Sequence, residues 1–174
     1  RGAGVTVLHG PTEYPIGRRV RFHRNLQAAG RLPAREVDAL ETCAAGQGEA
    51  AALEVAPGAP VVVCEGRSLA DGQPIALFRS VFPADRLPGI GDALREVPSV
   101  TEALARCGVA DYTRRSTRID ARPAGATQAA RLMVSEGAAL LRTVSVSVDP
   151  QGVPVEHGTT WFAGERVTLT LDEP

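Results

Sequence analysis

Lysine is missing from this chain: all 19 basic residues are arginine, set against 20 Asp and Glu, for a formal net charge of −1. So small an imbalance leaves no basic field with which this polypeptide alone could grip nucleic acid. The arginine bias, with abundant alanine and glycine, is a mark of GC-rich coding rather than of a function. No apolar run approaches the roughly 18 residues of a membrane span, so no membrane helix is expected. Cysteine is scarce as well. Cys43, Cys64 and Cys107 lie far apart, with no Cys-x-x-Cys and no Cys/His spacing that suits zinc. Three small buried thiols in a reducing cytoplasm are the expectation. Catalytic signatures are lacking too: no Gly-x-Ser-x-Gly elbow, no phosphate loop with lysine, no His-Glu-x-x-His and no dinucleotide fingerprint. His9, His23 and His157 are isolated from one another and from tuning neighbours, and ordinary surface or core roles are expected for them. No catalytic residue, metal or cofactor is implied.

What is present describes a globular domain. The chain has 174 residues, 44% hydrophobic and 22% charged, enough for one core and unlike a disordered segment. It begins at Arg1 without an initiator methionine or signal peptide, so processing or a preceding segment is expected. Residues 1–8 read as the second half of a hairpin whose first strand is missing, and residues 9–17, broken by prolines and glycines, as a linker. A short helix is predicted near 23–29, closed by Gly30. Residues 35–45 stay open between strand and helix, and 48–55 read as a helix stopped by Pro57-Gly58. The strongest local signal is a hairpin: Val61–Leu69, the type I′ dipeptide Asp71-Gly72, and the return from Pro74 to Phe82. Pro83 and Pro88 end it. Ser99 and Glu102 have capping-box spacing before a helix that Gly108 closes. Strands follow over 112–121, 140–148, 153–162 and 167–171, with a helix near 126–133. Thr143, Ser145 and Ser147 alternate with Val144, Val146 and Val148, the period-2 pattern of a half-buried antiparallel strand. The order implies an α+β fold with a central antiparallel sheet and flanking helices.

Arginine clusters are the candidate chemistry. Arg18, Arg19, Arg21 and Arg24 crowd one stretch, Arg114, Arg115 and Arg118 another, and Arg67 and Arg79 flank the hairpin turn. Guanidinium groups offer fixed, bidentate donors to carboxylate and phosphate oxygens. A solvated face accounts for most of them. Arg79 and Arg114 are exempted, because each sits inside a strand with apolar neighbours. A one-residue bulge in the 112–121 strand would exchange Arg114 for Arg115. The hydroxyls of Ser99 and Thr101 at a helix start could hold an anion, although capping alone explains Ser99. Glu156, mid-strand after a turn, is either an exposed-face carboxylate or the holder of a ligand amine or hydroxyl.

Several pieces occur together in a recognisable order: Leu69-Ala-Asp-Gly-Gln-Pro-Ile75, Ser99-Val-Thr-Glu-Ala-Leu104, Ile119-Asp-Ala-Arg-Pro-Ala124 and Gly152-Val-Pro-Val-Glu-His157. The set resembles the UTRA effector-binding domain of GntR-superfamily, HutC-subfamily regulators, over about residues 20–172. Tyr14–Leu26 and Asp111–Ile119 resemble the branch that regulates phosphonate metabolism. Residues 1–7 match the tail of a winged-helix wing in such proteins. The resemblance implies a chorismate-lyase-like fold, a homodimer, and a small anionic effector that modulates DNA binding by an N-terminal domain absent from this chain. Residues 1–17 would then be wing remnant and linker, and 18–174 the effector domain. Position by position it implies effector contacts from Ser99, Thr101 and Glu156, with Arg21, Asn25, Arg114 and Thr117 specific to the branch; Arg79 joins them from the strand argument. Sugar-phosphate-sensing members place arginines where this chain has Gly66 and Ser68, so a phosphonate, phosphate ester or oxyanion is expected instead. Two other readings remain: a chorismate-lyase-type enzyme on the same fold, and a dimerisation module without a ligand.

Overall fold

The β-branched run after Pro60 and its return across Asp71-Gly72 set the frame on which everything else is hung. The computed structural model describes residues 10–19, 21–97 and 99–171. The hairpin comprises β3 (Pro60–Ala70) and β4 (Gln73–Pro83). Asp71 and Gly72 both have positive φ, 50° and 78°, the I′ geometry whose twist matches that of paired strands. The undecided stretch before it is a strand, β2 (Pro33–Ala44), pairing antiparallel with β3. β5 (Thr113–Pro123), β6 (Ala139–Val148) and β7 (Pro154–Ala163) complete a sheet in the order β2-β3-β4-β7-β6-β5, antiparallel throughout.

Residues expected as part of a linker do something different. Thr12–Pro15 form β1, which pairs in parallel with β8 (Val167–Thr170) in a separate two-stranded sheet. Tyr14 and Ile16 drive this: both are buried, and the Tyr14 ring sits 5.1 Å from that of Phe162. Burying such side chains outweighs the local breaking tendency of the neighbouring prolines and glycines. The hairpin remnant expected over residues 1–8, and His9, lie outside the described residues.

Among the described residues five short helices cover the main sheet: α1 (Phe22–Ala28), α2 (Gln47–Leu53), α3 (Ile90–Glu96), α4 (Val100–Arg106) and α5 (Ala126–Leu132). The sequence reading missed α3, because Pro88 and Gly89 look only like a stop. Gly89 instead takes φ +82° as the N-cap, and burial of Ile90, Ala93 and Leu94 holds the helix in place. At α4 half of the expected capping box forms: Ser99 Oγ accepts from the Glu102 amide at 3.3 Å, while the Glu102 carboxylate pairs with Arg106 at 3.0 Å. The thiols also need correction, since Cys64 is buried but Cys107 is half-buried and Cys43, on edge strand β2, is exposed.

Register assigns the faces. One face packs α2 through Ala50 and Leu53 onto Val61, Val63 and Val81, and α5 through Ala129 and Leu132 onto Leu77 and Leu140. The opposite face carries two separate apolar clusters. Phe78, Phe82 and Val62 meet α3 and α4, whereas Ala76 and Phe162 meet β1, β8 and α1. Between them the sheet floor is polar. On β6 it is the hydroxyl row that is buried, Thr143 at 2%, Ser145 at 4% and Ser147 at 1%, while Val144 and Val146 are only half-buried. The period-2 expectation holds, and the buried row is the hydroxyl one because Ser145 and Ser147 underlie a cavity.

Candidate functional site

The gap between the two apolar clusters is a cavity of about 530 Å³. Its floor is a bed of small hydroxyls on neighbouring strands, Ser68 (β3), Ser80 (β4), Ser145 and Ser147 (β6) and Thr160 (β7). These side chains lie on one face because Ser80, Gly158 and Ser145 stand in register across β4, β7 and β6. Its roof is Arg19 and the stretch from Arg21 through Asn25, and its end wall is the start of α4 with Asp111 and Tyr112.

Six of the eight residues singled out from the sequence meet here: Arg21, Asn25, Ser99, Thr101, Arg114 and Glu156 all line the cavity. Two do not. Arg79 projects from the opposite face of β4, where it is bridged to Glu49 (2.6 Å) and Glu65 (2.9 Å). Strand alternation is the cause: Phe78 and Ser80 face the cavity, so the residue between them cannot. Thr117 pairs with Ser145 on the cavity side but stands on the outer strand, outside the lining. The anticipated bulge exists in β5, between Arg114 and Ser116. It leaves Arg114 facing in, and Arg115 pairs with Glu54 at 2.6 Å on the far face.

Each lining group has a defined setting. Arg21 donates to the Tyr112 carbonyl at 2.8 Å, stacks 3.7 Å over the Tyr112 ring and lies 3.3 Å from Asp111. Arg19 holds the same Asp111 at 2.5 Å, and this hydrogen bond keeps the carboxyl below its ordinary range. Asn25 donates to the Pro15 carbonyl at 3.1 Å, tying α1 to β1. The Thr101 and Tyr112 hydroxyls are 2.9 Å apart. The backbone amide of Arg114 donates to the Arg18 carbonyl at 2.8 Å, fastening β5 to the roof segment. Glu156 is held from both sides: Ser80 donates to Oε1 at 2.8 Å and Ser147 to Oε2 at 3.1 Å.

Sequence reasoning overlooked Arg35. It projects from β2 opposite Ser68, with its guanidinium 3.6 Å over the Phe78 ring. Its Nε is buried and has no hydrogen-bond partner among the described residues, nor is any carboxylate paired with it there. Burial pulls its proton affinity down, against the attraction of Cys64 and Glu156. Arg35 and Arg114 both act electrostatically on the Tyr14 phenol, and Arg35 on His23, whose pKa falls mainly through burial. The cavity is thus rich in guanidinium groups, of which Arg24, Arg35 and Arg114 have no ion pair among the described residues. Among those residues no group of three His, Cys, Asp or Glu side chains could hold a metal, and no helix is long and apolar enough to cross a membrane.

Burial pushes the Tyr14 phenol up to about 12 and Tyr112 upward as well. An unfolded tyrosine ionises near pH ~10, so Tyr14 contributes stability that is complete below that pH and is lost as pH rises toward about 12, at about 1.4 kcal/mol per unit. Absorbance at 295 nm, followed with circular dichroism, should show phenolate only as the fold is lost. Full phenolate absorbance at pH ~10 with native dichroism would contradict the buried setting of these rings.

The comparisons with known proteins agree with this geometry. The family model described as the UTRA domain matches residues 28–168. An HTH-type transcriptional regulator of Rhizobium meliloti is 38% identical over 159 residues, 91% of this chain and 65% of that protein. The HTH-type transcriptional repressor PhnF of Mycolicibacterium smegmatis is 27% identical over 170 residues, 98% of this chain and 69% of the repressor. This chain therefore spans about two thirds of the length of these curated relatives. The crystal structure of PhnF from Mycobacterium smegmatis superposes with a TM-score of 0.83 at 27% identity, over 94% of this chain and 72% of that one. Its effector domain alone gives 0.79 at 25% identity and is covered to 99%. In sequence and in architecture, the chain belongs to the UTRA domain family found in GntR-type transcriptional regulators.

Proposed function

We propose that this chain is the sensing part of a longer GntR-type regulator, and that its cavity takes a small anionic effector of the phosphonate or phosphate class. The observation that carries the reading is the half-buried Arg35, its guanidinium stacked over Phe78 beside a hydroxyl-lined cavity and its buried Nε unmatched among the described residues. A buried cation without a counter-ion is costly, and an arriving anion supplies what is missing. Arg114, with Arg21 and Asn25 on the roof and Ser99 and Thr101 at the end wall, completes the set; the floor hydroxyls can donate to anion oxygens.

Signalling follows from where the roof lies. The Arg18 carbonyl is bonded to Arg114, and the roof continues N-terminally into β1. An effector that binds one position of this segment better than another shifts the equilibrium between them by that difference in affinity. In the homodimer that the family resemblance implies, such a shift would re-space two DNA-binding regions lying outside this chain. We take the domain to sense and not to catalyse, in keeping with relatives named as transcriptional regulators. Incubation with chorismate should accordingly yield no aromatic product.

Isothermal titration with ethylphosphonate and with inorganic phosphate tests the reading. Binding of at least one is expected, weakened at least tenfold, about 1.4 kcal/mol, by Arg114→Ala. No heat with either anion, and no rise in melting temperature, would overturn it.

A further inference from the structure

The cavity is not uniformly positive, and its polarity says what shape of charge it fits. Beside the unmatched Arg35 stands Glu156, whose two oxygens receive hydrogen bonds only from the neutral donors Ser80 and Ser147 among the described residues. Those bonds fix the carboxylate without cancelling its charge, and each oxygen keeps a second lone pair. Gly158 leaves the space beside it open, at a point where a Cβ would touch Glu156 Oε1 at 3.6 Å and Ser145 Oγ at 3.4 Å. Arg35 and Glu156 are in electrostatic range but form no ion pair with each other. Arg35 lies over Phe78, and Glu156 is anchored to Ser80, next but one along the same face of β4. Strand rise sets these anchors about 7 Å apart. At the rim, by contrast, Asp111 is already matched by Arg19.

Building on the anion-sensing reading above, we propose that the effector is a small zwitterion: a phosphonate- or phosphate-type anion that docks on Arg35 and Arg114, joined through a spacer of two or three carbons to an ammonium group that docks on Glu156. An anion without the ammonium leaves Glu156 facing added negative charge. An amine without the anion leaves the buried Nε of Arg35 unmatched. A molecule with both ends satisfies both groups, its ammonium offsetting one of the anion's charges beside Glu156.

The test is isothermal titration of the whole chain with 2-aminoethylphosphonate, ethylphosphonate and ethanolamine. The amino compound is expected to bind at least tenfold more tightly than ethylphosphonate, with no measurable binding of ethanolamine. In Glu156→Gln that preference should vanish or reverse. If ethylphosphonate binds wild type as tightly as its amino counterpart, or the preference survives in Glu156→Gln, the zwitterion is wrong while anion sensing stands. If neither phosphonate binds, the zwitterion is wrong, and if inorganic phosphate gives no heat either, anion sensing fails with it. The wild-type comparison decides the matter even if the variant does not fold.

Discussion

Arg35→Met raises the stability of the ligand-free chain and abolishes its response to anions. Arg35 has a buried Nε without a partner among the described residues and a lowered proton affinity, so its desolvation outweighs the attraction of Cys64 and Glu156 and the folded state carries a cost. Methionine has similar reach, needs no hydrogen bonds, and can lay its thioether against the Phe78 ring that now holds the guanidinium at 3.6 Å. Replacing a half-buried, incompletely compensated charge by a well-packed apolar group gains about 1–3 kcal/mol, less the lost cation–π contact of about 1. For a domain of this size each kcal/mol moves the melting temperature by about 2–4 °C. Thermal unfolding with and without ethylphosphonate reads both effects at once: a higher midpoint without the anion, and no further rise with it. Arg35→Lys keeps the charge and should retain part of the anion response. A Met variant that melts well below wild type would make Arg35 a structural residue, and would remove the main support for anion sensing.

The same arginine shows where the sequence could be read and where it could not. The β3–β4 hairpin was legible because Asp71-Gly72 demands positive φ at both positions, a property fixed within the dipeptide. Arg114 and Glu156 were legible from their placement inside patterned strands, and through family resemblance. Arg35 was hidden because residues 35–45 show no clean alternation. β2 is an edge strand with most of its length exposed, and a bulge between Val37 and Ala39 resets its phase. The alternation of β6 was legible but not which of its rows is buried, since polar residues are normally the solvated side and a polar cavity inverts that rule. Arg79 was misplaced for a simpler reason. Apolar neighbours do not say which face of a strand a residue occupies when both faces are buried, as they are along β4. β1 and α3 escaped notice because tertiary burial of Tyr14, Ile16 and Ile90 overrode local breakers.

Gly66→Ala should destabilise the chain by about 2–4 kcal/mol, which makes it the most damaging single methyl that the sheet offers. Gly66 lies opposite Val37, where the β2 bulge presses backbone onto β3. A Cβ there would stand 1.9 Å from the Glu36 carbonyl oxygen, 2.9 Å from its carbon and 2.8 Å from the end of the Phe78 ring. Backbone on one side and a core ring on the other leave no flexible neighbour to yield. β2 must either lift from β3 or push Phe78 aside, and Phe78 is the platform for Arg35. The variant should therefore lose anion binding along with stability. Gly72→Ala is the control, since φ is +78° there but nothing lies within 4 Å of the added atom. It should cost only the strain of a left-handed alanine, about 1 kcal/mol, and leave binding intact. Urea unfolding separates the two, because a clash lowers the Gly66→Ala midpoint well beyond that of Gly72→Ala. Equal midpoints would mean that β2 does not press on Gly66, and that the bulge does not position Arg35 through Phe78.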